Sequence, residues 1–384
     1  MEKKVLVFMN YYGKSSETFI ADELQFLFTK SEISLEILHY GKSNDRISGL
    51  DMPTSTLKRF VQNPAKFSLY YFKSLKFKNG LNGSLGYLIN FFRERKFDTI
   101  YCHFGTNGKL IAQLKAIGVI PKTTKLIIRF HGLDMNFEKY NIGFYKILRT
   151  HADIVLYGTQ MAKSKLSKYG LTRQLVKLPV GISRNNIVSI KNLSNYGICI
   201  GDFKVLSVGR FIELKGHRLA VDILSKLNDD NVKFEIIGDG PLFSEIANYI
   251  KLKKIDKKIN LLGMKNHHEV ISELQNSITY LYSGVYDSEG RCENQATSVL
   301  EAMAQGKIVL SSALGGIPDY LIDNVNGFLC EPGNVNQFVD KLRWIVQNYT
   351  SNEMLEIRKN AIITVQSSYC QENLNEKLLK LLIE

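Results

Sequence analysis

KVLSVGRFIELKG, residues 204–216, is an apolar run that stops at a glycine and then turns polar. The run lacks the alternation of a strand with one wet face, so it predicts a parallel strand covered by helices on both sides. Gly209 lets the backbone turn at the strand end, and Arg210 and Lys215 follow near the start of the next helix. The same pattern recurs in both directions. After it come VKFEIIGDG (232–240), INLLG (259–263), ITYLYSG (278–284), KIVLSS (307–312) and GFLCEP (327–332). Before it come KVLVFMN (4–10), SLEILHY (34–40), DTIYCHFG (98–105), KLIIRFHG (125–132), DIVLYG (153–158) and VKLPVG (176–181). The intervening segments are long enough for crossover helices. The expected fold class is therefore α/β, with two Rossmann-like doubly wound parallel sheets facing a central cleft. An N-terminal domain is expected over 1–190, a polar linker over 183–203 and a C-terminal domain over 200–365. A helix over 366–384 is expected to pack back on the N-terminal domain.

A chain of 384 residues is too long for one compact core and suits two domains. No window offers the roughly 20 unbroken apolar residues that span a bilayer. The start, MEKKVLVFMNYYG, has too short an apolar core for a signal peptide and reads as a first buried strand. Five scattered cysteines without metal-like spacing predict reduced thiols in a cytoplasmic protein. Charge is uneven: residues 1–190 carry 29 Lys and Arg against 13 Asp and Glu, or +16, whereas the remainder carries 21 against 24, or −3. Within the basic half, residues 56–96 interleave Lys and Arg with Phe, Tyr and Leu. That mixture suits either an anionic membrane surface or a solvated helical face. No nucleic-acid-binding motif accompanies the charge.

In α/β sheets ligands bind beyond the carboxyl ends of the strands. Arg210 and Lys215 beside a helix N-terminus suit a diphosphate, with a surface pair of Arg210 and Glu213 as the plainer alternative. Gly238 and Asp239 form a second such exit, and backbone groups at Met264 a third, near a nucleobase. The fourth is DSEGRCENQATSVLEAMAQG (287–306). There Asn294, Gln295, Ala296 and Thr297 would supply free N–H groups at a helix start. Glu293 lies just ahead and Glu301 within an apolar helix, where a bare carboxylate is costly unless it reaches a polar partner. Carboxylates accept hydrogen bonds from sugar hydroxyls, so cations and acids together describe a nucleotide-sugar. Two carboxylates without a His or Asp at ligand spacing make a thin case for metal. In the first half Gly13 permits a tight turn after strand one, and His103 and His131 each end an apolar strand.

These residues together resemble the retaining GT-B glycosyltransferases of family GT4, in the bacterial exopolysaccharide branch of the colanic acid and amylovoran type. The matching motifs are SETFI (16–20), HFGTNG (103–108), RFHGLD (129–134), SVGRFIELKG (207–216), IIGDGP (236–241), ENQATSVLEAMA (293–304) and GGIPDYLIDNVNGFL (315–329). The resemblance implies that Arg210 and Lys215 hold the donor diphosphate, Glu293 the donor sugar and Glu301 the ribose. His131 would reach the donor sugar and Gly13 would pack on the diphosphate, with Ser16, Glu17, His103 and Asp134 facing the acceptor. It further implies retention of anomeric configuration, no metal or other cofactor, and a lipid-linked saccharide acceptor at the inner leaflet, met through the basic N-terminal domain. The motif departs from the family in opening E-N-Q-A, so Glu289, which is followed by Gly290, stays a rival to Glu293. A nucleotide-sugar 2-epimerase shares the architecture and a non-catalytic sugar- or lipid-binding module stays open. The first turn, NYYGKSS, argues against a nicotinamide dehydrogenase, which would want G-x-G-x-x-G there. Donor nucleotide and sugar, acceptor and oligomeric state are not encoded in these motifs.

Overall fold

Continuous apolar runs form strands buried on both faces, and in each half they assemble into one parallel sheet. The computed structural model describes residues 2–12, 18–42, 54–56, 85–195 and 202–384. The chain divides into two units: Met1–Pro179 with Asn373–Glu384, and Val180–Glu372. The 3-10 segments Arg184–Asn186 and Ile190–Asn195 belong to the second.

The first unit holds β1 (Lys3–Tyr12), β2 (Ile33–Lys42), β3 (Thr54–Thr56), β4 (Thr99–His103), β5 (Lys125–Arg129), β6 (Ile154–Tyr157) and β7 (Leu175–Lys177). Their order is β3-β2-β1-β4-β5-β6-β7, and every pairing is parallel. The edge strand β3, TST, is too short and polar to stand out in the sequence. Strand alternation divides the core. Leu6 and Phe8 face one layer with Ile100, Leu126 and Ile128. Val5, Val7 and Met9 face the other, where Leu378, Leu379 and Leu382 of the helix Gln371–Ile383 cover them.

The second unit holds β8 (Phe203–Val208), β9 (Val232–Ile237), β10 (Ile259–Gly263), β11 (Thr279–Tyr282), β12 (Ile308–Ser312) and β13 (Phe328–Cys330), ordered β10-β9-β8-β11-β12-β13. One face packs on helices His217–Leu227 and Val335–Asn348, the other on Thr297–Ala304 and Asn352–Ser368. In both sheets the strand order reverses once, between β1 and β4 and between β8 and β11. Those switch points are where a doubly wound sheet opens a ligand site. No helix among the described residues is long and apolar enough to cross a membrane.

Candidate functional site

At the β8/β11 switch point three strand exits press backbone on backbone. Gly216 has φ +66°, and a Cβ there would fall 1.8 Å from the Ser283 carbonyl oxygen. Gly238, at φ +141°, would put a Cβ 2.0 Å from the Gly209 oxygen. Only glycine fits either position, since an L side chain meets both strain and a clash. The close approach seats the turn Glu213–Lys215 over β11. The Lys215 stem lies along Gly209, and its Nζ pairs with the Glu293 carboxylate and stands 5.5 Å from the Tyr282 ring centroid. Arg210 is exposed at the same exit, as is Asp239 at the next, whose Oδ1 accepts from Gly240 N at 2.7 Å. The helix His217–Leu227 starts there with no side-chain cap, leaving its first N–H groups for an anion. Met264 is exposed beyond β10.

The acidic loop after β11 separates its carboxylates by partner. Asp287 accepts from the backbone of Glu289 and Arg291 and from Arg291 Nε, and Arg291 also pairs with exposed Glu289 at 2.7 Å. Glu293 instead faces Lys215. Gly315, at φ +61°, makes this possible, because a Cβ would sit 1.8 Å from the Glu293 oxygen. Gln295 is a structural hook: its amide exchanges hydrogen bonds of 3.0 and 2.6 Å with Val180. Ala296 is buried, and its carbonyl receives Tyr320 Oη. Asn294 and Thr297 are part-exposed, Thr297 opening the uncapped helix Thr297–Ala304. Glu301 lies in that helix with His267 Nδ1 at 3.8 Å, and burial pushes its carboxyl up to about 7.

At the carboxyl ends of β4 and β5 in the first unit, His103 and His131 meet, with Nδ1 of the first 3.1 Å from Nε2 of the second. Phe104 holds a positive φ of 72° at the β4 exit, and its ring lies 4.7 Å from His131. Two placements differ from expectation. His103 is wholly buried, its Nε2 facing Glu23 Oε1 at 3.3 Å, so it does not present a surface to an acceptor. Asp134 is buried too, and both its oxygens are taken by the N–H groups of Gly105, His131 and Gly132. It shapes the turn that carries His131 rather than binding a ligand. Gly13, Ser16 and Glu17 lie outside the described residues, as does 57–84 of the basic stretch.

The sequence reading did not single out Glu23, Arg129, Tyr282 or His267. Glu23 was visible in principle, since it shares the apolar stripe of Ile20, Leu24 and Leu27. Arg129 closes the strand Lys125–Arg129 as a buried cation. Among the described residues no group of three or more His, Cys, Asp or Glu is placed to hold a metal ion.

Two parallel doubly wound sheets, each with one reversal of strand order, make up a GT-B fold. Residues 193–363 match the family described as Glycosyl transferases group 1. The chain is 26% identical over 294 residues to a putative colanic acid biosynthesis glycosyltransferase, WcaL of Escherichia coli, covering 74% of this chain and 70% of that one. It is 26% identical over 244 residues to the amylovoran biosynthesis glycosyltransferase AmsK of Erwinia amylovora, covering 62% and 58%. Among solved structures, Anabaena Alr3699/HepE in complex with UDP superposes with a TM-score of 0.77 at 15% identity, covering 99% of both chains. The same protein with UDP-glucose gives 0.74 at 16%, again over 99% of both.

Proposed function

We propose that the protein transfers a hexose from a nucleotide donor to a lipid-linked saccharide during bacterial surface polysaccharide synthesis, with retention of configuration and without a metal ion. One observation carries the reading: Lys215, at the β8/β11 switch point, is held between Glu293 and the Tyr282 ring. A fixed ammonium beside Arg210 and an uncapped helix start supplies the charge a diphosphate leaving group requires. Glu293 accepts hydrogen bonds from sugar hydroxyls and Glu301 from ribose. The named relatives of the colanic acid and amylovoran type support the polysaccharide context, and the UDP and UDP-glucose complexes of the Anabaena structure support a uridine donor over a guanosine one. The basic excess of residues 1–190 supports work at the anionic inner leaflet from the cytoplasmic side.

The test is UDP release from UDP-glucose in the presence of EDTA. Lys215→Ala is expected to lower turnover by about two orders of magnitude, as loss of a charge-stabilising group does. Near-normal turnover would remove Lys215 from the site. Conversion of the donor sugar to an epimer with no acceptor present would replace transfer by epimerisation.

A further inference from the structure

We propose that Tyr282 is a positioning residue: its hydroxyl is the hydrogen-bond donor to which the Glu293 carboxylate turns when a diphosphate takes Lys215 from it. The handover of Lys215 rests on the reading of that residue given above; the part played by Tyr282 is added to it.

Tyr280, Tyr282 and Tyr320 lie in the field of Glu293. Burial raises the phenol of each, and the charge of the carboxylate adds to it. All three pack in one apolar layer with Ala296 and Val299. Two have a partner for the hydroxyl: Tyr280 donates to the Val208 carbonyl at 3.2 Å, and Tyr320 to that of Ala296 at 3.2 Å. The Tyr282 hydroxyl has none among the described residues, although the residue is only 2% exposed. Gly284 leaves the space the ring fills, since a Cβ there would fall 2.4 Å from Cε1 and 2.8 Å from the hydroxyl oxygen. A buried hydroxyl without a partner has given up water and gained nothing. It therefore disfavours this arrangement relative to any in which it donates.

Glu293 is the acceptor that can change places. Lys215 Nζ pairs with its carboxylate and stands 5.5 Å from the Tyr282 ring centroid, so acid and phenol border the same ammonium. Burial, then Glu293, holds the phenol well above its ordinary value, so it keeps the hydrogen it would donate. A diphosphate carries more negative charge than a carboxylate and draws the ammonium to itself. Glu293 is then left part-buried beside an anion without a donor, which is unfavourable. The phenol supplies that donor. It engages one carboxylate oxygen and leaves the other for a sugar hydroxyl, so the acid is aimed rather than free to rotate. The change is confined to the side chain, because Gly315 packs against the Glu293 carbonyl oxygen and fixes the backbone.

The test measures UDP affinity by calorimetry and stability by urea unfolding, both on the full chain. UDP has no donor sugar, so the sugar contact of Glu293 does not enter. Tyr282→Phe is expected to be at least as stable as the wild type, because the hydroxyl it removes has no bond. It should bind UDP about tenfold more weakly, the loss of one hydrogen bond to a charged group. Glu293→Ala removes the competitor for Lys215 and is expected to tighten UDP binding. In that background Tyr282→Phe should change UDP affinity by no more than about twofold. A Tyr282→Phe protein that is less stable or does not fold would mean the hydroxyl is already bonded in the free protein, and overturns the proposal. So would UDP affinity unchanged by that substitution, a tenfold loss that persists without Glu293, or weaker UDP binding in Glu293→Ala. Failure of the wild type to bind UDP would instead remove the donor reading, and the role of Tyr282 with it.

Discussion

Glu289 and Glu293 share one loop but differ in what answers their charge. Arg291 neutralises Glu289 in solvent, whereas Lys215 answers Glu293 at the strand exits. Glu293→Gln is therefore expected to damage turnover more than Glu289→Gln, measured on the same donor; the reverse order would exchange their roles. Glu301 yields a prediction without any substrate. Its folded-state value of about 7 lies above its ordinary 4.5, so its contribution favours the fold at low pH and is lost as pH rises through 7. The stability of the protein relative to Glu301→Gln, from urea unfolding, should fall by about 2 kcal/mol between roughly pH 5 and pH 8. A flat difference would put the carboxylate in water. At this scale the sequence carried residue types and spacing, enough to single out Lys215, Glu293 and Glu301. It did not carry partners: Glu23 and Arg129 are 106 residues apart, and only the fold reveals that they meet.

Elements were the most legible level, because the runs that make strands are continuous and several of them stop at a glycine, of which Gly238 is under strict geometric demand. All six strands of the second sheet coincide with apolar runs, whose expected ends overshoot into the exits at Gly238 and Gly284. Asp134 escaped for a related reason: the motif RFHGLD marks a turn, but a turn-capping carboxylate and a ligand-binding one look alike in sequence. The helix Gln371–Ile383 carries a prediction of its own. Leu382 is fully buried against the first sheet, and its carbonyl accepts from Thr99 Oγ1 at 2.8 Å. Leu382→Ala should cost about 2–5 kcal/mol in denaturant unfolding; a cost below about 1 kcal/mol would mean the helix is only loosely applied.

For the molecule as a whole, charge asymmetry is the feature with the longest reach. Residues 1–190 carry +16 and the remainder −3. Each well-placed Lys or Arg near an anionic leaflet contributes about 1 kcal/mol, so a few suffice for reversible attachment. Flotation should recover the protein with anionic vesicles and leave it behind with neutral ones, the difference shrinking as salt is added. Equal partitioning would end the membrane assignment.

The first sheet also imposes an order on biosynthesis. Residues 373–384 belong to the unit begun by β1, yet all of Val180–Glu372 is translated in between. While the ribosome works through that stretch, Val5, Val7 and Met9 wait without the leucines that cover them. The nascent first unit is thus expected to ride with a greasy flank open, a natural client for chaperones, until the returning helix closes it.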